Sequence, residues 1–494
     1  MLKLTSLSLL TSFASICFIS LLNCQSSNIW SLGYSTSGST GLFSPFHMEF
    51  KDDSVIFKKI EGGVVFKRET ITIANNNNEV LFYTNGSEIY NHENELLENG
   101  DMLCLNENLN LSDLFCIDGF NSRKANFVVP NVNFEKRYTL YHSNINVIDG
   151  VKPITDTLFT TTIDFGSNSN YFGEIIDKRL PFISDSIVLG TISICPVFYP
   201  ESFWLSYVTL ANKVKLRLII DNTISKTEVF DLSCDYTSSV QSPETLFSPD
   251  GEKFVICLHS GCISLFNFDK NLGTLSLSDE IEFWSENGSN GILGLSFSPN
   301  SDLLYVNNTN ELYQTRISAG MFEDPVLIDT FNGFTDPLPN SFWGTQLGPD
   351  GKIYMATSNG SQYLHAITKP NESGDSCTFI QQYIELPFYN NFNCIPYLFH
   401  DLQVDPILNS HSLGMDLSAQ LFPNPCNDYL NLLFNEKISG EYLIKNCAGQ
   451  IISKRAFSNL EKMTIDISQI NHGVYFIQII NEKKKVLLEK FLKN

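Results

Sequence analysis

Short apolar runs follow the same kind of polar turn three times in the second half of the chain. The turn reads Phe-Ser-Pro-Asp-Gly at 247–251, Phe-Ser-Pro-Asn-Ser at 297–301 and Leu-Gly-Pro-Asp-Gly at 347–351. Soon after each turn come four consecutive apolar residues and then a second strand-like run. Apolar runs bounded by turn residues are typical of buried strands, so each copy predicts a β-hairpin whose first strand is covered on both faces.

The residue types in these turns have a structural explanation. Proline presets the backbone for the first corner, Asp or Asn bonds the backbone two residues further on, and Gly takes the left-handed conformation. We therefore predict that the turns build corners and do not carry chemistry. The residues given this structural role are Pro249, Asp250, Gly251, Pro299, Asn300, Pro349, Asp350 and Gly351.

The spacing of the turns predicts a repeat architecture. Their prolines stand 50 residues apart, and a unit of that length holds about four short strands, which is one blade of a β-propeller. Weaker copies of the pattern occur at 80–86 and 131–141. We therefore predict an all-β protein in which residues 25–402 form a β-propeller. Seven blades are expected, one of them shared between the chain ends, with six blades as the alternative.

A different pattern follows the propeller. Residues 403–420 form a polar stretch without strand periodicity, which predicts a linker. Residues 421–494 then contain strand-like runs at short spacing, which predict a small antiparallel β-sandwich. These runs lie at 429–434, 442–445, 450–453, 463–467, 474–480 and 486–491.

The net charge of the chain indicates which classes of partner it can bind. The chain has a formal net charge of −22. Residues 1–24 contribute +1 and residues 421–494 contribute +3, so residues 25–420 carry −22 − 1 − 3 = −26. A body this acidic repels nucleic acid, so we predict no nucleic-acid partner. The charge is interpreted as a solubility device or as a surface for cationic partners.

The first 24 residues predict a secretory signal peptide. A single cation, Lys3, precedes an uncharged run that ends at Cys24, as in signal peptides. Cleavage before Gln25 would leave no integral membrane segment. Lipidation of Cys24 is the alternative cleavage, but Asn23 is a poor residue before a lipidated cysteine. An uncleaved membrane anchor is the third reading, because the run nearly reaches membrane-spanning length.

Ten cysteines lie beyond the signal peptide, and an exported chain permits disulfides. Cys104/Cys116, Cys377/Cys394 and Cys426/Cys447 are plausible local pairs, although spacing alone does not fix the connectivity. The chain has no Cys-x-x-Cys motif and no Cys/His cluster with zinc spacing. We therefore predict neither a metal nor another cofactor.

The C-terminal unit closely resembles the type A sorting domain read by the type IX (Por) secretion system. The residues that carry this likeness are Pro423, Asn424, Pro425, Gly449, Asp466, Gly473, Tyr475, Lys490 and Lys493. One departure is Asn446, where an acidic residue is usual. The resemblance implies that the secretion machinery contacts residues 421–494. The protein would then be secreted, or attached to the outer face of the outer membrane.

The preceding part, over most of residues 28–400, resembles large WD-type propellers in exported proteins of Bacteroidetes. The likeness rests on Trp30, on the run 80–91 and on the repeated turns. That family has no single activity, so the resemblance implies a fold and leaves the function open.

Catalytic motifs are absent from the chain. We find no phosphate-binding glycine loop, no His-Glu-x-x-His and no Gly-x-Ser-x-Gly. His365, on a predicted inner strand, has a buried structural role or faces the channel. Trp204, Trp284 and Trp343 either pack between blades or line a face that binds glycan or peptide.

These observations favour a binding or scaffold protein that is not an enzyme, with a protein or glycan ligand on a propeller face. The alternative is a propeller hydrolase, either calcium-dependent and lactonase-like or polysaccharide-degrading, whose carboxylates meet only in the folded channel. A passive component of an adhesive surface layer is a third hypothesis.

Overall fold

The computed structural model describes most of the chain outside its N-terminus and the predicted linker. The described residues are 28–34, 41–51, 54–75, 77–104, 116, 119–131, 136–148, 152–166, 172–198, 202–235, 244–259, 261–282, 291–391, 395–396, 419–422, 426–446, 451–481 and 486–493. The predicted signal peptide lies outside these ranges, as do Cys24, Trp284, Pro423, Asn424, Pro425 and Gly449.

Blades 1 and 2 are antiparallel sheets of three strands each within the described residues. Blade 1 contains β1 (Ile29–Gly33), β2 (Pro45–Lys51) and β3 (Ser54–Lys59). Blade 2 contains β4 (Ile71–Ala74), β5 (Val80–Thr84) and β6 (Ile89–Asn91).

Blades 3 and 4 are joined into one larger sheet by a single pairing between Ile187 and Thr209. Blade 3 comprises β7 (Phe127–Pro130), β8 (Arg137–Ser143), β10 (Lys152–Asp164) and β11 (Glu174–Val188), with the short β9 (Asn146–Ile148) against β10. Blade 4 comprises β12 (Ser193–Phe198), β13 (Ser202–Thr209), β14 (Lys213–Ile220) and β15 (Thr223–Asp231).

Blades 5, 6 and 7 contain the regular turns, and each is a separate antiparallel sheet. Blade 5 comprises β16 (Glu244–Phe247), β17 (Lys253–Cys257), β18 (Cys262–Asp269) and β19 (Thr274–Glu282). Blade 6 comprises β20 (Gly294–Phe297), β21 (Leu303–Asn307), β22 (Glu311–Ser318) and β24 (Val326–Thr330), with β23 (Met321–Phe322) beside β22. Blade 7 comprises β25 (Phe342–Leu347), β26 (Ile353–Thr357), β27 (Ser361–Ile367) and β28 (Phe379–Asn390), with a 3-10 helix at Gly374–Cys377.

The seven blades of the described residues form a closed ring, which confirms the predicted all-β propeller. First strands of adjacent blades approach one another at β1 and β4, β12 and β16, β16 and β20, and β20 and β25. Apolar clusters fill the spaces between neighbouring blades. One such cluster joins blades 1 and 7 and contains Trp30 and Tyr354, whose ring centroids lie 5.5 Å apart.

Within the described residues, the ring closes by side-chain packing and hydrogen bonds between blades 1 and 7. Blade 1 and blade 7 are each built from one continuous segment, and β28 pairs with β27. The Gly33 amide donates to Oδ1 of Asn390 at 3.0 Å. The described residues contain no blade that is shared between the chain ends, and there the closure is packed by large side chains such as Trp30 and Tyr354.

The repeated turns place their polar side chains against their own backbone and against the next blade. Oδ1 of Asp250 accepts the Glu252 amide at 2.9 Å, and the Asp250 amide donates to Ser301 of blade 6 at 3.0 Å. In blade 7, Oδ2 of Asp350 accepts from Lys352 at 2.6 Å and from Tyr354 at 2.8 Å. Gly251 and Gly351 take φ values of +69° and +77°, a conformation that favours glycine.

The other turn residues lie at the same corners. The Asn300 amide donates to Oδ1 of Asn371 at 3.0 Å. Pro249 and Asp250 form the turn before β17, and the matching pairs Pro299 with Asn300 and Pro349 with Asp350 precede β21 and β26.

The C-terminal unit is a five-stranded, sandwich-like antiparallel sheet. Its strands are β29 (Ala419–Phe422), β30 (Tyr429–Asn446), β31 (Ile451–Asp466), β32 (Gly473–Asn481) and β33 (Val486–Lys493), around a core of its own. The six predicted runs merge into four strands here, and β29 is additional. Residues between the runs stay extended because β30 and β31 pair with each other along most of their length.

Within the part of the chain that the structure describes, no helix has the length and apolar character needed to cross a membrane.

Candidate functional site

The part of the chain that connects blade 2 to blade 3 reaches across the propeller ring. Arg123 Nη1 donates to Oε1 of Glu244 at 3.2 Å, and its Nη2 donates to the Thr345 carbonyl at 3.2 Å. Lys124 Nζ donates to the Thr245 carbonyl at 3.0 Å and lies 3.6 Å from Oε2 of Glu244. Glu244 and Thr245 begin blade 5, and Thr345 belongs to blade 7. Residues 119–126 therefore reach across the ring, and we call them the channel segment.

Close packing holds the channel segment in place. Phe120 and Ala125 are buried with Ile145 and with the disulfide-bonded Cys104 and Cys116. A Cβ atom at Gly86, whose φ is +84°, would lie 2.5 Å from Cβ of Phe120. The segment approaches blade 2 so closely that glycine is required there.

Buried charges in the channel are arranged against one another. Arg123 and Lys124 are only 8% and 1% exposed. Glu69, just before β4, is 1% exposed, and its Oε2 accepts the Ala125 amide at 3.1 Å. Burial raises the pKa of Glu69 to about 8, against the opposing effects of the Ala125 amide and Arg123. Burial lowers the pKa of Lys124 to about 8, against the opposing effect of Glu244.

Glu69 and Glu244, the two channel carboxylates described above, are therefore not free to bind a cation. Glu244 is paired with two cations, and Glu69 is mostly protonated near neutral pH because its pKa is raised. A calcium ion needs several ionised or carbonyl oxygens that converge on one point. Glu69 and Glu244 do not provide them.

One cluster in the described residues has metal-ligating side chains within reach of one another: Cys234, Cys262 and Glu280. Cys234 and Cys262 are joined as a disulfide. This bond leaves them no thiolate to bind a metal.

The disulfides agree only in part with the predicted pairs. Cys104–Cys116 is confirmed. Cys234–Cys262 was not predicted, because it joins the end of blade 4 to β18 of blade 5 across 28 residues. Cys377 and Cys426 are buried free thiols. Their expected partners, Cys394 and Cys447, lie outside the described residues.

Two open clefts flank blade 1 at the rim of the ring. The larger, of about 560 Å³, lies between blades 1 and 2 and is lined by polar side chains that include Lys58, Asn75 and Glu79. The smaller, of about 340 Å³, lies between β3 and blade 7 and is lined by Phe57 and Tyr383 among others. The rim next to β3 therefore has binding space on both sides of one sheet.

Two histidines near these regions have structural surroundings. His47, which lines the larger cleft, lies 3.0 Å from Oγ of Ser31, and burial, with a smaller effect of Lys58, lowers its pKa to about 3. His365 accepts the Gln382 amide at Nδ1, 2.9 Å away, and burial lowers its pKa to about 3. The rings around His365 belong to blades 6 and 7: Phe331, Phe334, Phe342 and Phe379. His365 thus packs in an aromatic cluster between these blades.

The tryptophans considered as a binding face are placed differently. Trp204 is fully buried, and its Nε1 donates to the Lys270 carbonyl at 2.7 Å. It packs against Gly273 between blades 4 and 5, so it offers no surface to a ligand. Trp343 is partly exposed on β25.

The described sorting-motif residues lie around one end of the C-terminal sheet. Oδ1 of Asp466 accepts the Ser468 amide at 2.9 Å, and the Tyr475 hydroxyl donates to the Asn471 carbonyl at 3.0 Å. Gly473 begins β32 and pairs with Lys493 of β33, and Lys490 pairs with Phe476. The ring of Tyr475 stacks on Phe491.

The C-terminal unit matches a known protein family. The family described as "Secretion system C-terminal sorting domain" matches residues 420–494. These residues form a secretion system C-terminal sorting domain. The sorting domain indicates export by the type IX system, so the protein is secreted or attached to the cell surface.

The propeller that precedes the sorting domain is similar to solved structures at low identity. Periplasmic gluconolactonase PpgL from Pseudomonas aeruginosa is 11% identical, with 74% of this chain and 98% of that chain covered and a TM-score of 0.41. A functionally unknown protein from Desulfotomaculum acetoxidans is 12% identical, covering 74% and 100%, with a TM-score of 0.40. The Cps50 (Swd1) β-propeller domain from Myceliophteria thermophila is 10% identical, covering 66% and 96%, with a TM-score of 0.36.

None of the curated proteins matches this chain. Because these TM-scores are below 0.5, the propeller assignment rests on the seven blades described above.

Proposed function

We propose that this protein is an exported binding or scaffold propeller that holds a protein or glycan partner at its rim, outside the ring axis. The observation that carries this proposal is the channel segment, whose Arg123 and Lys124 occupy Glu244. Propellers that use the axis need open polar groups there. In this ring two open clefts lie beside blade 1.

The sorting domain gives the proposal its location. A chain that carries it would cross the outer membrane through the type IX machinery, which contacts residues 421–494, and would end in the medium or on the outer face of that membrane. Residues 25–420 carry a formal charge of −26. That charge keeps the released or displayed propeller soluble.

Deletion of residues 421–494 should retain the protein in the periplasm of a host with a type IX system. The full chain should be found in the medium or on intact cells, detected by antibody and by digestion with added protease. A matched control carries Lys213→Ala in blade 4, at an exposed ion pair, and should be exported like the wild type. Finding the truncated chain at the surface would show that delivery does not depend on the sorting domain.

Calcium should leave the melting temperature of the purified full chain unchanged within about 1 °C. A ligand that binds the native state tightly would raise the melting temperature by mass action, and we expect no such binding. The protein should also fail to hydrolyse glucono-δ-lactone and a panel of polysaccharides. Both expectations follow from the pairing of Glu244 with Arg123 and Lys124. Lactone turnover that requires calcium would replace the binding function by the hydrolase alternative.

A further inference from the structure

Blade 1 ends at β3, which lies beside the two clefts, and no described segment pairs with the outer edge of this strand. Among the described strands, blades 3 to 7 each have at least four and blades 1 and 2 have three. In blade 2, the segment after β6 covers the edge: the Asn91 amide donates to the Glu95 carbonyl at 2.9 Å, and the Leu97 amide to the Ile89 carbonyl at 2.9 Å. In blade 1, β3 pairs with β2. None of the described strands pairs with its other edge, and an unpaired edge offers backbone N–H and C=O groups to a further strand.

Over residues 55–58 the residues of β3 line the two clefts alternately, while Ser54 also lines the smaller cleft and Lys59 the larger one. Ile56 and Lys58 line the larger cleft, toward blade 2. Val55 and Phe57 line the smaller cleft, toward blade 7. A strand added beside β3 would continue this alternation, since successive residues of a strand face opposite sides of the sheet. Its side chains would therefore enter the two clefts in turn.

We propose that the edge of β3 binds an extended peptide segment of a partner protein, which adds a fourth strand to blade 1. This inference rests on the proposed binding function and names the kind of partner. Main-chain bonds along an open edge give such complexes their affinity, and pockets for alternate side chains give them specificity. The clefts of about 560 Å³ and 340 Å³ are those pockets.

The charges beside β3 define the chemistry of the peptide. Lys58 is exposed on the larger cleft and has no ion-pair partner among the described residues, while its neighbour Lys59 pairs with Glu61. Two carboxylates line the same cleft: Glu49 pairs with Lys51, and Glu79 accepts from Asn75. The smaller cleft is apolar at Phe57 and Tyr383, and exposed Glu385 lies at its border. The complementary peptide therefore carries an acidic residue opposite Lys58 and apolar or aromatic residues at the alternate positions. A basic residue of the peptide lies near Glu385.

The test uses the full chain without its predicted signal peptide and a displayed library of ten-residue segments. We expect enriched segments to alternate acidic with apolar or aromatic residues. A synthetic peptide of that pattern should slow hydrogen exchange of the amides in residues 54–59. The same peptide with alternate amides N-methylated should lose binding, because it cannot pair with a strand edge.

Charge reversal separates specific pairing from general attraction. Lys58→Glu should weaken the binding of the peptide at least about fivefold, because the attraction between Lys58 and the acidic residue becomes a contact between like charges. A peptide with Lys in place of its acid should recover affinity for that variant. Lys213→Glu, with the same charge change in blade 4, should bind like the wild type.

Two results would overturn the inference. The first is a library without the alternating pattern, in which case Lys58 and Lys59 guard the edge against pairing. The second is peptide binding that protects no amide in residues 54–59. If glycans or other surfaces of intact cells still bind the protein, the proposed binding function survives and the peptide partner fails.

Discussion

Replacing Glu244 by alanine should lower the free energy of unfolding by about 3–5 kcal/mol, as expected when a buried ion pair loses one partner. The variant leaves Arg123 and Lys124 in the channel without their carboxylate. Their side chains are 7% and 2% exposed, so water cannot replace the lost interaction. Denaturant unfolding followed by the fluorescence of the buried Trp30 and Trp204 measures the change.

The exposed pair of Lys213 and Asp231 provides the matched control. The side chain of Asp231 is 85% exposed, and exposed ion pairs contribute about 0–1 kcal/mol. Asp231→Ala should therefore lose less than about 1 kcal/mol. Equal losses for Glu244→Ala and Asp231→Ala would mean that the channel segment is not held by its charges.

Stability should fall as the pH rises from 6.5 to 8, above the range in which buried His47 and His365 make it rise with pH, and Glu69→Gln should abolish most of this fall. Burial raises the pKa of Glu69 from 4.5 to about 8, so the folded state holds a proton that the unfolded state releases. The stabilisation is complete below pH 4.5 and is lost as the pH passes through 8. The slope is at most about 1.4 kcal/mol per pH unit.

Lys124 has the opposite effect on the pH dependence of stability, and it acts in a higher pH range. Its pKa is lowered from 10.5 to about 8, so the folded state binds fewer protons than the unfolded state between those values. Stability should therefore rise again above pH 8. The measurement is the unfolding free energy of wild type and Glu69→Gln from pH 5 to pH 10. Parallel profiles below pH 8 would contradict the role of Glu69, and the exposed control Glu61→Gln should follow the wild type.

The propeller could be predicted because its signal is local and periodic. Three corners with the same residue types and a constant spacing define blades 5 to 7, and the apolar runs after them are buried as expected. The sorting domain was equally accessible from its motif. Its strand count was not, because residues between apolar runs become strand by pairing with a partner strand.

The channel segment was beyond prediction from the chain alone. Arg123 contacts residues 121 and 222 positions away, and no local pattern reports such contacts. The spacing of Cys104 and Cys116 was the one available signal, since it indicated a closed loop just before the segment. The clefts beside β3 were missed for a related reason: they come from the strand number of blade 1 and from two neighbouring blades.

Closure of the ring by Gly33 and Asn390 also has a kinetic consequence. The two residues are 357 positions apart, so this contact brings a large loop-closure entropy and a high contact order. We therefore expect the ring to close late in folding, after the strands of blade 7 have formed. Until then the apolar faces around Trp30 and Tyr354 are unprotected, so the partly folded chain is prone to aggregation.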